Sequence, residues 1–458
     1  HTYVDCQGLP CSAPSNLTFE AEMAALKPSH SRAIDKSRKD SEGIVYLDDF
    51  EGTTSNFDLR TPTTAWYLAS TPQNAEIDGQ PVFPESGLIN DRLYGANRAM
   101  INWYRIDQGA RNVSEGAGSD PYTRLVSQQE IFENKTPSFG LNDFRTFDIT
   151  YYPDERGPYN FDVPGGLPGT QGIDKNTCKL NAPETRWGGI MRALNQVNFE
   201  QANIESIEFW MLDPFLNDST GSEGKIVIQL GNVSEDILRD SRKFFEHGLP
   251  RSPSDGPVDT TEWGRIPRIP ATVNAFSNNP DVRKIQDVGL DGLDDSGERF
   301  IFQDYLNNLQ AAGVSADCIT KAQMDPANDN FTYFLDEDAY PGGTNLFERY
   351  KRYNGTQGNS PPPKEGDNNV NASTNIPDAE DINQDNSMSE NESYYEYVVQ
   401  LQKDPNGNND IGNLNPNNPQ ITDVVNTPNG SWYRFRIPVA EYERSVGGIN
   451  DFRSIRFM

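Results

Sequence analysis

Three short runs constrain this chain more than any other feature. Ile204–Leu212 (IESIEFWML) alternates, with Ile207, Phe209 and Met211 on one face. Lys225–Leu230 (KIVIQL) aligns Ile226, Ile228 and Leu230, and Trp432–Val439 (WYRFRIPV) aligns Tyr433, Phe435, Ile437 and Val439. Alternation with period two marks half-buried β-strands, because successive side chains point to opposite faces. Ile44–Leu47, Arg186–Leu194 and Asp451–Met458 read as further strands. Helices are expected over Leu17–Leu26, from Ser234 to Gly248, and over Arg299–Ala311. In the second of these Ser234 stands as cap and Glu235 and Asp236 lie in the first turn. Lys243 and His247 lie in its last turn and Gly248 is the stop.

What separates the strands is polar. Residues 354–391 and 404–419 are rich in Asn, Asp, Pro, Gly and Ser, a loop composition. Across 458 residues there are 39 Lys+Arg against 68 Asp+Glu, a net charge of −29 with only 35% hydrophobic residues. Such an acidic chain is no nucleic-acid binder and carries no basic patch for anionic lipid. No run approaches the ~18 apolar residues of a membrane helix. The expected fold is mainly β. Its strand order resembles a galactose-binding-like, jelly-roll β-sandwich interrupted by long loop and helical insertions. A polar segment, 1–42, precedes a sandwich region, 43–458, with insertions near 53–185 and 232–430. The acidity is expected on the solvated surface of those insertions. The chain begins at His1 and stops at Met458 inside a strand-like run, which reads as a piece of a longer polypeptide.

Catalytic signatures are sparse. Only His1, His30 and His247 are present, so triads and His-rich metal sites have little to draw on. The reading is of a chain that is not an enzyme. Cys6 could pair with Cys11 and Cys178 with Cys318, with free thiols as the alternative. The sharpest spacing is Asp381, Asn383, Asp385, Ser387, Ser389 and Glu392, which falls on the ligand positions of a calcium loop. Asn386 stands where such loops place glycine, and Asn tolerates the left-handed conformation. Asp48, Asp49 and Glu51 form a weaker calcium candidate. Asp287, Asp291, Asp294, Asp295 and Glu298 are expected to serve a helix N-terminus rather than a metal. Trp66, Tyr67, Trp103, Tyr104, Tyr394, Tyr395 and Tyr397 could build a sugar-binding platform, with core packing as the competing role.

Longer ordered motifs carry a family resemblance. VYLDDFEG (Val45–Gly52), DLRTPTTAWYLASTP (Asp58–Pro72), IESIEFWMLDPF (Ile204–Phe215) and LGNVSEDILRDSRK (Leu230–Lys243) resemble the SprA family, also called Sov, of the Bacteroidota. So do WGRIP (Trp263–Pro267), QDVGLDGL (Gln286–Leu293), LFERYKRYNGTQGNSP (Leu346–Pro361), PDAEDINQDNS (Pro377–Ser387) and GGINDFRSIRFM (Gly447–Met458). The resemblance implies an outer-membrane translocon of the type IX secretion system, in some members serving gliding motility. It implies a very large β-barrel as the whole protein. As partners it implies a PorV-like outer-membrane barrel, a periplasmic plug protein and secreted cargo bearing a C-terminal secretion domain. This chain lacks the repeated alternating strands of such a barrel. It is therefore expected to be a water-exposed region, on the cell exterior rather than the periplasmic side, that shapes or caps the pore. The alternative is a carbohydrate-binding jelly-roll module of a cell-surface protein.

Overall fold

The computed structural model describes residues 56–73, 76–77, 80–137, 142–216, 223–246, 249, 256–269, 275–360, 374, 376–402, 414–415 and 417–458. Apart from Asn56 these fall in one compact unit, Phe57–Met458. Its longer strands are β1 (Ala99–Tyr104), β2 (Asp148–Arg156), β3 (Ser206–Leu212), β4 (Gly224–Asn232), β5 (Ser393–Leu401), β6 (Ile421–Thr427) and β7 (Gly430–Pro438). The short β8 (Arg444–Val446) follows. Three consecutive helices are α1 (Asp295–Ile301), α2 (Gln303–Ala311) and α3 (Ala316–Met324).

The chain is mainly strands in several small antiparallel sheets. Two of these sheets matter most. One has the order β8-β5-β4, the other β6-β7-β3. β5 and β4 pair without interruption from Ser393↔Asn232 to Leu401↔Gly224. β7 meets β3 from Trp432↔Leu212 to Pro438↔Ser206. The alternating faces read from the sequence supply one shared core. Ile228, Leu230, Tyr395, Tyr397 and Val399 from one sheet pack with Tyr433, Phe435 and Ile437 from the other. Ile207, Phe209 and Met211 pack against them, and Phe209 stacks on Phe435 at 5.0 Å between ring centroids. This is a β-sandwich smaller than a full jelly roll. Its strands β5 and β6 come from the 232–430 stretch that the jelly-roll-like strand order assigns to an insertion.

The last residues serve two cores without forming a long strand: Ile455, Phe452 and Met458 pack into the sandwich core, and Phe457 into the neighbouring one. Phe457 is fully buried and bridges both Ala193 and Gly231. Gly231 makes that approach possible. At φ +153 a Cβ there would lie 2.3 Å from the Ser393 carbonyl oxygen. The Arg186–Leu194 run is strand only at Ile190–Met191. Its first residue is held elsewhere: buried Arg186 donates to Asp162 Oδ2 at 3.0 Å and to the carbonyls of Ala96 and Gly172. A buried guanidinium with this many acceptors fixes the local path more strongly than strand propensity does.

A second core joins the three helices to the segment after β4. Phe302, Tyr305, Leu306 and Leu309 pack with Phe161, Trp263, Ile237, Leu238 and Phe244. The helix expected over Arg299–Ala311 is broken at Phe302 but stops where foreseen, before Gly313 at φ +72. The helix expected from Ser234 does not form in the described part. Residues 233–244 run as turns and irregular chain. The reason is competition for backbone N–H groups. Glu380 accepts from Leu238 N at 2.7 Å and from Phe244 N at 2.8 Å. Asp236 accepts from Asp240 N and Ser241 N. Those donors are therefore lost to a helical ladder. The helix Leu17–Leu26, the strand Ile44–Leu47 and the Cys6/Cys11 pair lie outside the described residues.

Cys178 is bonded to Cys318 of α3, one of the pairings the sequence allowed. No helix of the described residues is long and apolar enough to cross a membrane. The bridge closes a sequence separation of 140 residues, and a loop of that size can contribute up to about 5 kcal/mol by restricting the unfolded chain. Replacing both cysteines by serine is expected to lower stability by about 2–5 kcal/mol in denaturant unfolding.

Candidate metal centre

The calcium-like loop is built as a tight acidic turn. Asp381 Oδ1 accepts from Asp385 N at 3.0 Å, and its Oδ2 accepts from Asn386 N at 2.9 Å. Asn386 has φ +66, as the spacing requires. Asn383 donates through Nδ2 to Asp385 Oδ2, while Asp385 Oδ1 accepts from Ser387 N and Oγ. Two cations of the chain already face these acids. Lys243 Nζ lies 3.0 Å from Asp381 Oδ2, and Arg456 Nη2 lies 2.9 Å from Asp385 Oδ2. Ser389 donates its N–H to Glu235 and accepts from Arg456 through its hydroxyl. Glu392 turns away, its Oε2 accepting from Gln73 N at 2.7 Å. The structure thus brings together Asp381, Asn383, Asp385 and Ser387 but not Glu392. Asp48, Asp49 and Glu51 lie outside the described residues.

A different set of carboxylates converges. Asp291, Glu298 and Asp329 are all buried and offer oxygens within 4.8 Å of one another. Asp295, Glu298 and Asp325 form a second such group that shares Glu298. The turn 287–294 presents Asp291, α1 presents Asp295 and Glu298, and the loop after α3 presents Asp325 and Asp329. Local hydrogen bonds orient each group. Asp291 Oδ1 accepts from Leu293 N at 2.9 Å. Glu298 Oε2 accepts from Ala327 N at 2.7 Å. Asp329 Oδ2 accepts from the hydroxyls of Tyr159 at 2.9 Å and Thr356 at 3.1 Å. Asp325 holds its own loop through Asp329 N and pairs with Arg352 at 2.6 Å. With its amide nitrogen turned inward, Gln357 donates to Glu298 Oε1 at 3.0 Å. Asp294 caps α1, as the sequence foresaw for the whole group.

Removal from water pushes the carboxyls of Asp291, Glu298 and Asp329 well above the usual range, and repulsion adds to it, from Asp329 and Asp325 on Asp291 and Glu298 and from Asp325 and Asp295 on Asp329. Desolvation likewise raises Asp295. The proposed sugar platform fares differently. Trp103, Tyr104, Tyr394, Tyr395 and Tyr397 are buried in cores, and Trp66 and Tyr67 are half-buried.

With the geometry in place, comparison with known proteins is informative for the C-terminal third. Residues 304–458 match the SprA_N family model, described as motility related/secretion protein. The match supports assignment to the SprA family. No curated protein matches the chain. The SprA_N stretch includes α2 from its second residue, α3 and strands β5 to β8, together with Asp325 and Asp329. Asp291, Asp295 and Glu298 precede it.

The sequence pattern singles out three of these five acids and gives them another role. Asp291, Asp295 and Glu298 read as helix-start acids because no local pattern connects them to residues 325–330. The one available signal was Asp325-Pro-Ala-Asn-Asp329-Asn330, an acidic turn directly after a helix.

Another pair, buried Glu246 and half-buried Asp378, yields a pH test. Glu246 is fully buried, and its Oε2 accepts from Asp378 N at 2.7 Å. Burial pushes Glu246 well above the usual carboxylate range and Asp378 up to about 7. The folded chain therefore holds protons that the unfolded chain has released. Stability from Asp378 is greatest below about pH 4 and falls as pH rises toward about 7. In Asp378→Asn that part of the slope should vanish, as followed by chemical denaturation between pH 4 and 8.

Proposed function

We propose that this chain is a water-exposed, non-catalytic region of a SprA-like outer-membrane translocon that exports folded proteins through the type IX secretion system. The match over residues 304–458 carries this reading. The matched stretch includes half or more of each facing sheet, so the likeness extends to the folded core. The buried acids support a structural role, since many of them hold loop backbone in place. On this reading the region shapes or caps the pore on the extracellular side. Its partners are a PorV-like outer-membrane barrel, a periplasmic plug protein and cargo with a C-terminal secretion domain.

The decisive experiment acts in the full-length protein. Replacing residues 304–458 by a short flexible linker should leave the protein in the outer membrane but abolish release of such cargo into the medium. Cargo release at the parental level would overturn the reading. Labelling of intact cells with a membrane-impermeant amine reagent checks the side. Modification of lysines such as Lys321 is expected, because that side chain is 69% exposed.

A further inference from the structure

We propose that Asp291, Glu298 and Asp329, flanked by Asp295 and Asp325, form a calcium site that ties the start of α1 to the loop after α3. Convergence is the first argument: buried carboxylates from two separated stretches, the turn that runs into α1 and the loop after α3, offer oxygens within 4.8 Å of one another. Orphaned oxygens are the second. Asp291 and Asp329 are 0% and 1% exposed, yet Asp291 Oδ2 and Asp329 Oδ1 accept no hydrogen bond. A buried acceptor without a donor costs free energy unless something else meets it.

The third argument is charge. Among the described residues, Arg352 forms an ion pair with Asp325, and no lysine or arginine forms one with Asp291, Glu298 or Asp329. A Cβ on Gly289, at φ +88, would lie 2.4 Å from Asp329 Oδ2, so only glycine there lets that carboxylate come so near the turn. The donor set is all oxygen, which selects a hard cation. Calcium takes about six to eight oxygens in flexible geometry, whereas magnesium demands a tighter octahedron and retains water. Two acidic groups sharing Glu298, with four of their five acids buried, suit the larger ion. The ion would do for α1 and the 325–330 loop what Arg352 alone cannot.

The inference is independent of the secretion reading and is tested on the whole 458-residue chain. After chelation and dialysis, added Ca²⁺ is expected to raise Tm by several degrees, reversibly with EDTA. Tb³⁺ should luminesce on tyrosine excitation, because the Tyr159 hydroxyl donates to Asp329, and Ca²⁺ should quench that emission by displacement. Both responses are expected to disappear in Glu298→Gln and Asp329→Asn and to persist in Asp381→Asn. Tyr159→Phe should dim the Tb³⁺ emission while keeping the Tm response, which provides a readout if the acidic variants fail to fold. The proposal is overturned if the parent chain shows neither response or if Tyr159→Phe leaves the emission undiminished. Loss of both responses in Asp381→Asn with retention in Glu298→Gln overturns it too, by moving the ion to the 381–392 turn. An equal Tm shift with Mg²⁺ overturns the choice of ion.

Discussion

A carboxylate taken out of water must be met by donors, by a proton or by a cation. That constraint organises this molecule. Buried acids outnumber buried arginines, so ion pairs cannot serve them all. Most are met instead by backbone N–H groups. Glu235 accepts from Ile382, Asn383 and Ser389, and Glu380 from Leu238 and Phe244. Asp287 accepts from Gly358 and Ser360. Each such acid replaces a stretch of ladder: loop amides that would otherwise be orphaned find an acceptor in a side chain from a remote part of the chain. Long irregular segments can then be buried beside a small β-sandwich.

The same constraint decides what could be read from the sequence. Strands β3, β4 and β7 were legible because their alternation comes from burial on one face, a property of the residues themselves. Their inward residues Ile207, Ile228 and Phe435 sit in the core as expected. The segment after Ser234 was not legible. It carries every local mark of a helix, and Glu380 and Asp236 override them. The 381–387 turn was legible in shape, down to the left-handed Asn386. What its spacing could not show is that Lys243 and Arg456 come from elsewhere in the chain to face its acids. The Asp291, Glu298 and Asp329 cluster was illegible for the same reason: α2 and α3 lie between its parts in sequence and bring them together only in space.

The net charge of −29 also takes on a different meaning. Composition alone assigns it to a solvated surface. The structure instead places some of the acids behind that formal count in the interior, where Glu246, Glu298 and Glu380 are fully buried and desolvation favours their protonated forms. Acidity here is partly an architectural material. It holds irregular backbone in place, in a chain whose low apolar content supplies only modest cores.

Those long-range acceptors have a kinetic consequence. The bonds of Glu235 and Glu380 span 136 to 154 residues, and that of Glu392 to Gln73 spans 319. Loops that depend on such distant acceptors cannot order until both parts of the chain have arrived, which is the signature of slow, high-contact-order folding. During that wait the same acids are ionised and hydrated. Their mutual repulsion keeps the unfolded chain dissolved and apart from its copies. The groups that complete the native loops therefore also protect the chain before those loops exist.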